Sequence, residues 1–165
     1  MVKNKHVQRA IEIAVKAHEG TARRDGDLYF SHVARVANNK KYIRSHLTKA
    51  AAYLHDVVED TDWTFEELRE QGIPDDVINV LTYVTHDKST PYNDYIDNVC
   101  LNVDAMLVKL SDLEDNSDVE TLGVITKKDY ERFIQYEKAK MKIMSTLLAH
   151  HPDVFRRIEG VEPWD

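Results

Sequence analysis

The chain has 165 residues, 42% hydrophobic and 31% charged, with five Gly, four Pro and a formal net charge of −7. The size allows one sizeable core, and the acidic balance excludes a broad surface for a nucleic-acid polymer or an anionic membrane. No apolar run approaches the roughly 18 residues of a membrane span, no signal-peptide core follows Met1, and the lone Cys100 leaves no internal disulfide and fits a reducing compartment. The expectation is one cytoplasmic, all-α domain over residues 1–165, with its core at about 6–150 and a short C-terminal tail.

Val7, Ala10, Ile11, Ala14, Val15 and His18 recur at helical spacing, which predicts a first helix to about Ala17, closed by Glu19-Gly20. His18 lies on that stripe and reads as a packed core histidine. Thr21–Asp27 is a polar loop in which Arg23 and Arg24 either pair with nearby acids or clamp a phosphate or a base. Tyr29–Ala37 reads as a second helix capped by Ser31, with His32, Val33, Val36 and Ala37 facing inward.

Ala50–Thr61 is the most informative stretch. Taken as one helix at about 100° per residue, it puts Leu47, Ala50, Ala51, Leu54 and Val58 on one arc. His55, Asp56, Glu59 and Asp60 fall on the opposite arc. A solvated face would mix in Lys or Arg, and this stretch has none. Ser45 or Thr48 can cap it, and Thr61-Asp62-Trp63 ends it. Thr64 with Glu67 reads as a capping box for a short helix closed by Gln71-Gly72. Pro74 fits the first position of a helix striped by Val77, Ile78, Leu81 and Val84. After a loop over 86–91, Tyr92, Tyr95, Ile96 and Val99 begin another.

Asp104 to about Asn116 forms a second polar-apolar helix, striped by Met106, Leu110 and Leu113, with Leu107 and Val108 outside the stripe. Asp112, in an apolar run, needs a partner. Lys109 one turn earlier offers an ion pair, and a metal is the alternative. Glu114, Asp115 and Asp118 read as a solvated acidic end. Thr126 can cap a long last helix with a stripe of Phe133, Ile134, Tyr136, Met141, Met144 and Leu148, ended by His150-His151-Pro152; the tail beyond holds one short turn.

The unusual polar residues are His32, His55-Asp56, Glu59-Asp60, and Asp112 with Asn116. Two imidazoles and two carboxylates make a mixed N/O donor set, without the thiolates of a structural zinc site. Such a set suits Mn²⁺, Fe²⁺ or a similar divalent ion. Glu59 and Asp60 stand one turn on, where they could orient or deprotonate a water. The chemistry indicated is metal-assisted hydrolysis of a phosphoester or pyrophosphoester.

The segments Ala17-His18-Glu19-Gly20, Arg23-Arg24-Asp25-Gly26, Tyr29-Phe30-Ser31-His32, Leu54-His55-Asp56-Val57-Val58-Glu59-Asp60-Thr61, and Val108-Lys109-Leu110-Ser111-Asp112 with Asn116 occur in the order and at the intervals of a known family. The chain resembles the HD superfamily of metal-dependent phosphohydrolases. Within it, the chain resembles the hydrolase domain of the Rel/SpoT-type enzymes and the small stand-alone alarmone hydrolases. The resemblance implies an all-α bundle, metal ligation by His32, His55, Asp56 and Asp112, usually of Mn²⁺, and water activation by Glu59 and Asp60. It puts Arg23 where an arginine stacks on guanine and Asn116 where an asparagine meets the nucleotide. Arg24 and Lys109 are the further candidates for substrate contact. Two departures stand out. Arg24 replaces a customary lysine, and Leu113 replaces the arginine of the family's Ala-Asp-Arg-x-x-Asn segment.

The expected activity is removal of the 3′-pyrophosphate from guanosine tetra- or pentaphosphate, by hydrolysis alone, with a small phosphorylated nucleotide as partner. An HD-type nucleotidase or other nucleotide pyrophosphohydrolase is the alternative enzyme. A metal- or nucleotide-binding helical sensor is the non-enzymatic alternative.

Overall fold

The computed structural model describes residues 2–23, 26–118 and 124–160. Ten helices span them: α1 (Val2–Ala17), α2 (Tyr29–Asn38), α3 (His46–Leu54), α4 (Val57–Asp60), α5 (Phe65–Glu70), α6 (Asp75–Val84), α7 (Tyr92–Val99), α8 (Val103–Asn116), α9 (Lys127–His150) and α10 (Pro152–Ile158). Among the described residues the only extended pairing is an isolated bridge between Ala22 and Leu28, which closes the loop carrying Arg23. No helix of these residues is long and apolar enough to cross a membrane.

The central element is α3. It packs against α1, α2, α6 and α8, and Ala50, Ala51, Ala52 and Leu54 are all fully enclosed. The run of three alanines explains this crowding, because small side chains let four neighbouring backbones approach one helix. Ser45 caps it in a reciprocal box with Thr48, as the sequence suggests. The predicted two-faced helix over 50–61 is not what forms. The chain is buried all round through Leu54, leaves helical hydrogen bonding at His55-Asp56, and resumes for one turn as α4. Val57 is the buried valine and Val58 is only half-buried.

Other boundaries shift for identifiable reasons. On α1 the buried arc is turned toward Ile13, and Val15 is exposed. Ser31 lies inside the first turn of α2, and Leu28 occupies the cap position without a side-chain bond. Pro74 is the cap of α6 rather than its first residue. α8 touches α2, α3, α6 and α9, so Leu107 and Val108 are enclosed along with Met106, Leu110 and Leu113. Thr126 caps α9 in a box with Asp129. The stripe of α9 that reaches the core is Ala139, Ile143 and Leu147, flanked by Tyr136 and Met144, while Ile134, Met141 and Leu148 face outward. The tail forms a two-turn helix, α10, laid on α9.

Candidate metal centre and nucleotide cavity

Four elements bring the polar residues together. His32 projects from α2, His55 and Asp56 from the break between α3 and α4, and Asp112 from α8. At that junction His55 and Asp56 both keep right-handed helical backbone angles, φ −57°, ψ −32° and φ −101°, ψ −3°. Donor atoms of His32, His55 and Asp56 lie within 4.8 Å of one another. Asp112 Oδ1 is 3.3 Å from His32 Nε2 and 3.4 Å from His55 Nε2. Asp56 Oδ2 is 3.5 and 3.0 Å from the same two nitrogens.

Both imidazoles are oriented from behind. His55 Nδ1 is 2.7 Å from the Ala52 carbonyl and His32 Nδ1 is 2.7 Å from Asp115 Oδ2. Each acceptor fixes the proton on Nδ1, so each ring turns Nε2 toward the carboxylates. His55 Nε2 is buried and makes no well-aligned hydrogen bond to either nearby oxygen. Two lone pairs facing two carboxylates form a cluster that calls for a cation. Without one, protons take its place: burial opposes charge on His32, but hydrogen bonds to Asp112, Asp115 and Asp56 outweigh it and lift the group to about 10. Burial likewise opposes charge on His55, and the Asp56 and Asp112 carboxylates raise it well above the ordinary histidine value. The donor set fits a divalent ion with His32, His55, Asp56 and Asp112 around it.

The cluster opens into a cavity of about 280 Å³. Its lining includes Tyr29, Glu59, Asp60, Lys109, Asn116, Tyr136 and the rings of His86, Tyr92 and Tyr95. The Tyr29 hydroxyl donates toward Asp56 Oδ2 at 2.7 Å and Asp60 Oδ2 at 3.1 Å. Glu59 Oε2 accepts from the His86 amide at 2.9 Å. Burial raises both Glu59 and Asp60 above the usual carboxylate range, and the Asp56 charge adds to it. Such carboxylates hold a proton more readily than exposed ones, which suits general-base work.

Lys109 donates to Asp112 Oδ2 at 2.8 Å and lies 5.3 Å from the centre of the Tyr95 ring. Burial opposes its charge, but Asp112 keeps it protonated. The ion pair and the metal-facing geometry therefore coexist at Asp112, whose two oxygens point to different partners. Asn116 donates to Asp112 Oδ1 at 2.7 Å. Arg23 reaches across from the loop to Asp115 Oδ2 at 3.0 Å and Asn116 Oδ1 at 3.2 Å. Arg24 lies outside the described residues.

The residue missed in the sequence is Asp115. It is half-buried, whereas Glu114 and Asp118 are exposed. It accepts from His32, Arg23 and Arg35, the last at 2.6 Å to Oδ1. Its place one turn beyond Asp112 was the available signal, since residues three apart share a helix face. His18 is buried and packed as expected, its ring tilted 33° to that of Tyr29 at 4.7 Å, but its Nε2 makes no hydrogen bond.

Among solved structures, one described as a metazoan ortholog of SpoT that hydrolyzes ppGpp superposes with a TM-score of 0.72 at 27% identity, covering 94% of this chain and 93% of that one. The chain shares the fold of the Rel/SpoT-type hydrolases. An Aquifex aeolicus protein named guanosine-3′,5′-bis(diphosphate) 3′-pyrophosphohydrolase is 32% identical over 167 residues, 96% of this chain and 23% of its own length. The Xenopus tropicalis protein of the same name, MESH1, is 38% identical over 87 residues, 50% of this chain and 48% of its own length. The chain thus spans less than half the length of these two relatives. No family profile matches it. The likeness to Rel/SpoT-type hydrolases now stands on both sequence and fold, and the all-α bundle expected of that family is the one observed.

Proposed function

We propose that the chain is a divalent-metal-dependent phosphohydrolase that removes the 3′-pyrophosphate of guanosine tetra- or pentaphosphate, with Mn²⁺ as the metal and the cytoplasm as its setting. The observation that carries this reading is the convergence of two Nε2 atoms and two carboxylates beside Glu59 and Asp60 in one cavity. The relatives' printed names supply the substrate, and the aromatic and cationic walls of the cavity suit a nucleotide.

A divalent ion held by His32, His55, Asp56 and Asp112 would lower the pKa of a bound water and offset charge on a phosphoryl oxygen. The protein's own residues do the rest. Glu59 and Asp60 face the cavity with raised proton affinity, placed so that one accepts the proton of the attacking water while the other orients it. Tyr29 holds Asp60 in position by donating to it. Lys109 brings a fixed positive charge to a cavity lined by several carboxylates. Arg23, engaged along its edge by Asp115 and Asn116, keeps a flat guanidinium face for the base. Leu113 is fully buried in the core.

The test is an assay with Mn²⁺ over guanosine alarmones, nucleoside triphosphates and deoxynucleoside monophosphates. Pyrophosphate released from the alarmones alone supports the proposal. Inorganic phosphate released from monophosphates would replace it with the nucleotidase reading. Metal binding without any turnover would replace it with the sensor.

A further inference from the structure

Asp115 receives three donors from two parts of the fold, His32 and Arg35 from α2 and Arg23 from the loop before it. His32 Nδ1 approaches Oδ2 at 2.7 Å and Arg23 approaches the same oxygen at 3.0 Å. Arg35 forks across both oxygens, at 2.6 Å to Oδ1 and 3.2 Å to Oδ2. Arg35 also lies 3.7 Å from Asp27, on the far side of the loop that carries Arg23.

We propose that Asp115 is a positioning residue shared by the two halves of the site: one carboxylate oxygen orients His32 for the metal and anchors Arg23 for the nucleotide, so metal binding and loop position are coupled through it. The metal half rests on the donor geometry, and the nucleotide half rests on the function proposed above. The sharing gives the coupling a sign. A carboxylate oxygen divided between an imidazole N–H and a guanidinium polarises the imidazole less than an undivided one. Releasing Arg23 strengthens the His32 contact and makes Nε2 a better donor. By reciprocity, a bound metal favours release of Arg23 from Asp115.

The test uses the full chain stripped of metal by chelator and titrated with Mn²⁺ alone, in wild type, Arg23→Ala, Asp115→Asn and the double variant. Asp115→Asn weakens Mn²⁺ binding about 10- to 100-fold, as loss of a carboxylate behind a ligating histidine does. Arg23→Ala tightens it several-fold when Asp115 is present and has no effect when combined with Asp115→Asn, a non-additivity that a direct charge effect of Arg23 on the metal would not produce. An unchanged Mn²⁺ affinity in Asp115→Asn, or an equal Arg23→Ala effect with and without the Asp115→Asn change, overturns the proposal. If Asp115→Asn fails to fold, the ¹⁵N resonance of His32 Nδ1 decides. It moves in Arg23→Ala if the oxygen is shared, and stays fixed if it is not. None of these measurements uses a nucleotide, so a failure here is distinct from a failure to cleave guanosine alarmones.

Discussion

Glu59 carries the sharpest conflict between stability and chemistry. Burial raises its pKa above the ordinary value, so the folded protein favours the neutral acid while the proposed reaction needs the anion. A carboxyl with a raised folded pKa contributes stability that is fully present below the unfolded pKa of about 4.3 and lost as pH rises through the folded value. As the pH rises, the buried anion that forms in the wild type costs stability. Glu59→Gln, which cannot ionise and still offers an oxygen to the His86 amide, should therefore melt higher than wild type at pH 7 without metal. The two melting curves should converge as the pH falls toward the ordinary carboxylate range. The same variant should lose about 10²- to 10⁴-fold in turnover while binding Mn²⁺ as wild type does. A variant that keeps full turnover would remove Glu59 from water activation. Asp56→Ala differs in kind: it takes a ligand oxygen from between two imidazoles, and both Mn²⁺ retention, read by metal analysis after gel filtration, and turnover should disappear.

Capping at the element scale is quantitative. Ser45→Ala removes the side-chain acceptor of the α3 box and should cost about 1 kcal/mol in urea unfolding. Leu54→Ala, at the fully buried end of the same helix, should cost about 2–5 kcal/mol and draw His55 out of line, so Mn²⁺ affinity falls as well. Short-range signals such as the caps at Ser45, Thr64 and Thr126 were legible in the sequence because a cap is written within four residues. The donor set was legible for a different reason, since His32, His55-Asp56 and Asp112 are out of place on apolar segments. What escaped depended on tertiary packing. No periodicity in Ala50–Thr61 announces that residues 50–54 are enclosed on every side, or that regular helical bonding is interrupted at His55-Asp56. The stripe of α9 was misassigned for a related reason: Ile134, Met141 and Leu148 are apolar enough for a core, but α9 meets the bundle through Ala139, Ile143 and Leu147. Asp115 looked like a solvated acid until Arg23 and Arg35 arrived from other elements.

For the whole molecule, the polar cluster is a local fault in the core that the proposed divalent cation would repair. A ligand that binds only the folded state stabilises by about 2.7 kcal/mol at a hundredfold excess over its Kd. Adding Mn²⁺ to chelator-treated protein should raise the melting temperature, and Asp112→Ala should abolish the shift. Because a metal displaces protons from His32 and His55, the Mn²⁺ shift should shrink as pH is lowered. The same core also constrains chain length. One residue inserted between Leu54 and Val57 would rotate everything downstream by about 100° and advance it by about 1.5 Å, turning Glu59 and Asp60 away from the cavity even if every side chain were retained. Related chains are thus free to lengthen or shorten at their surface loops, but the interval from His55 to Asp60 is a fixed ruler, and a gap there in any sequence comparison would mark a protein that has changed its chemistry.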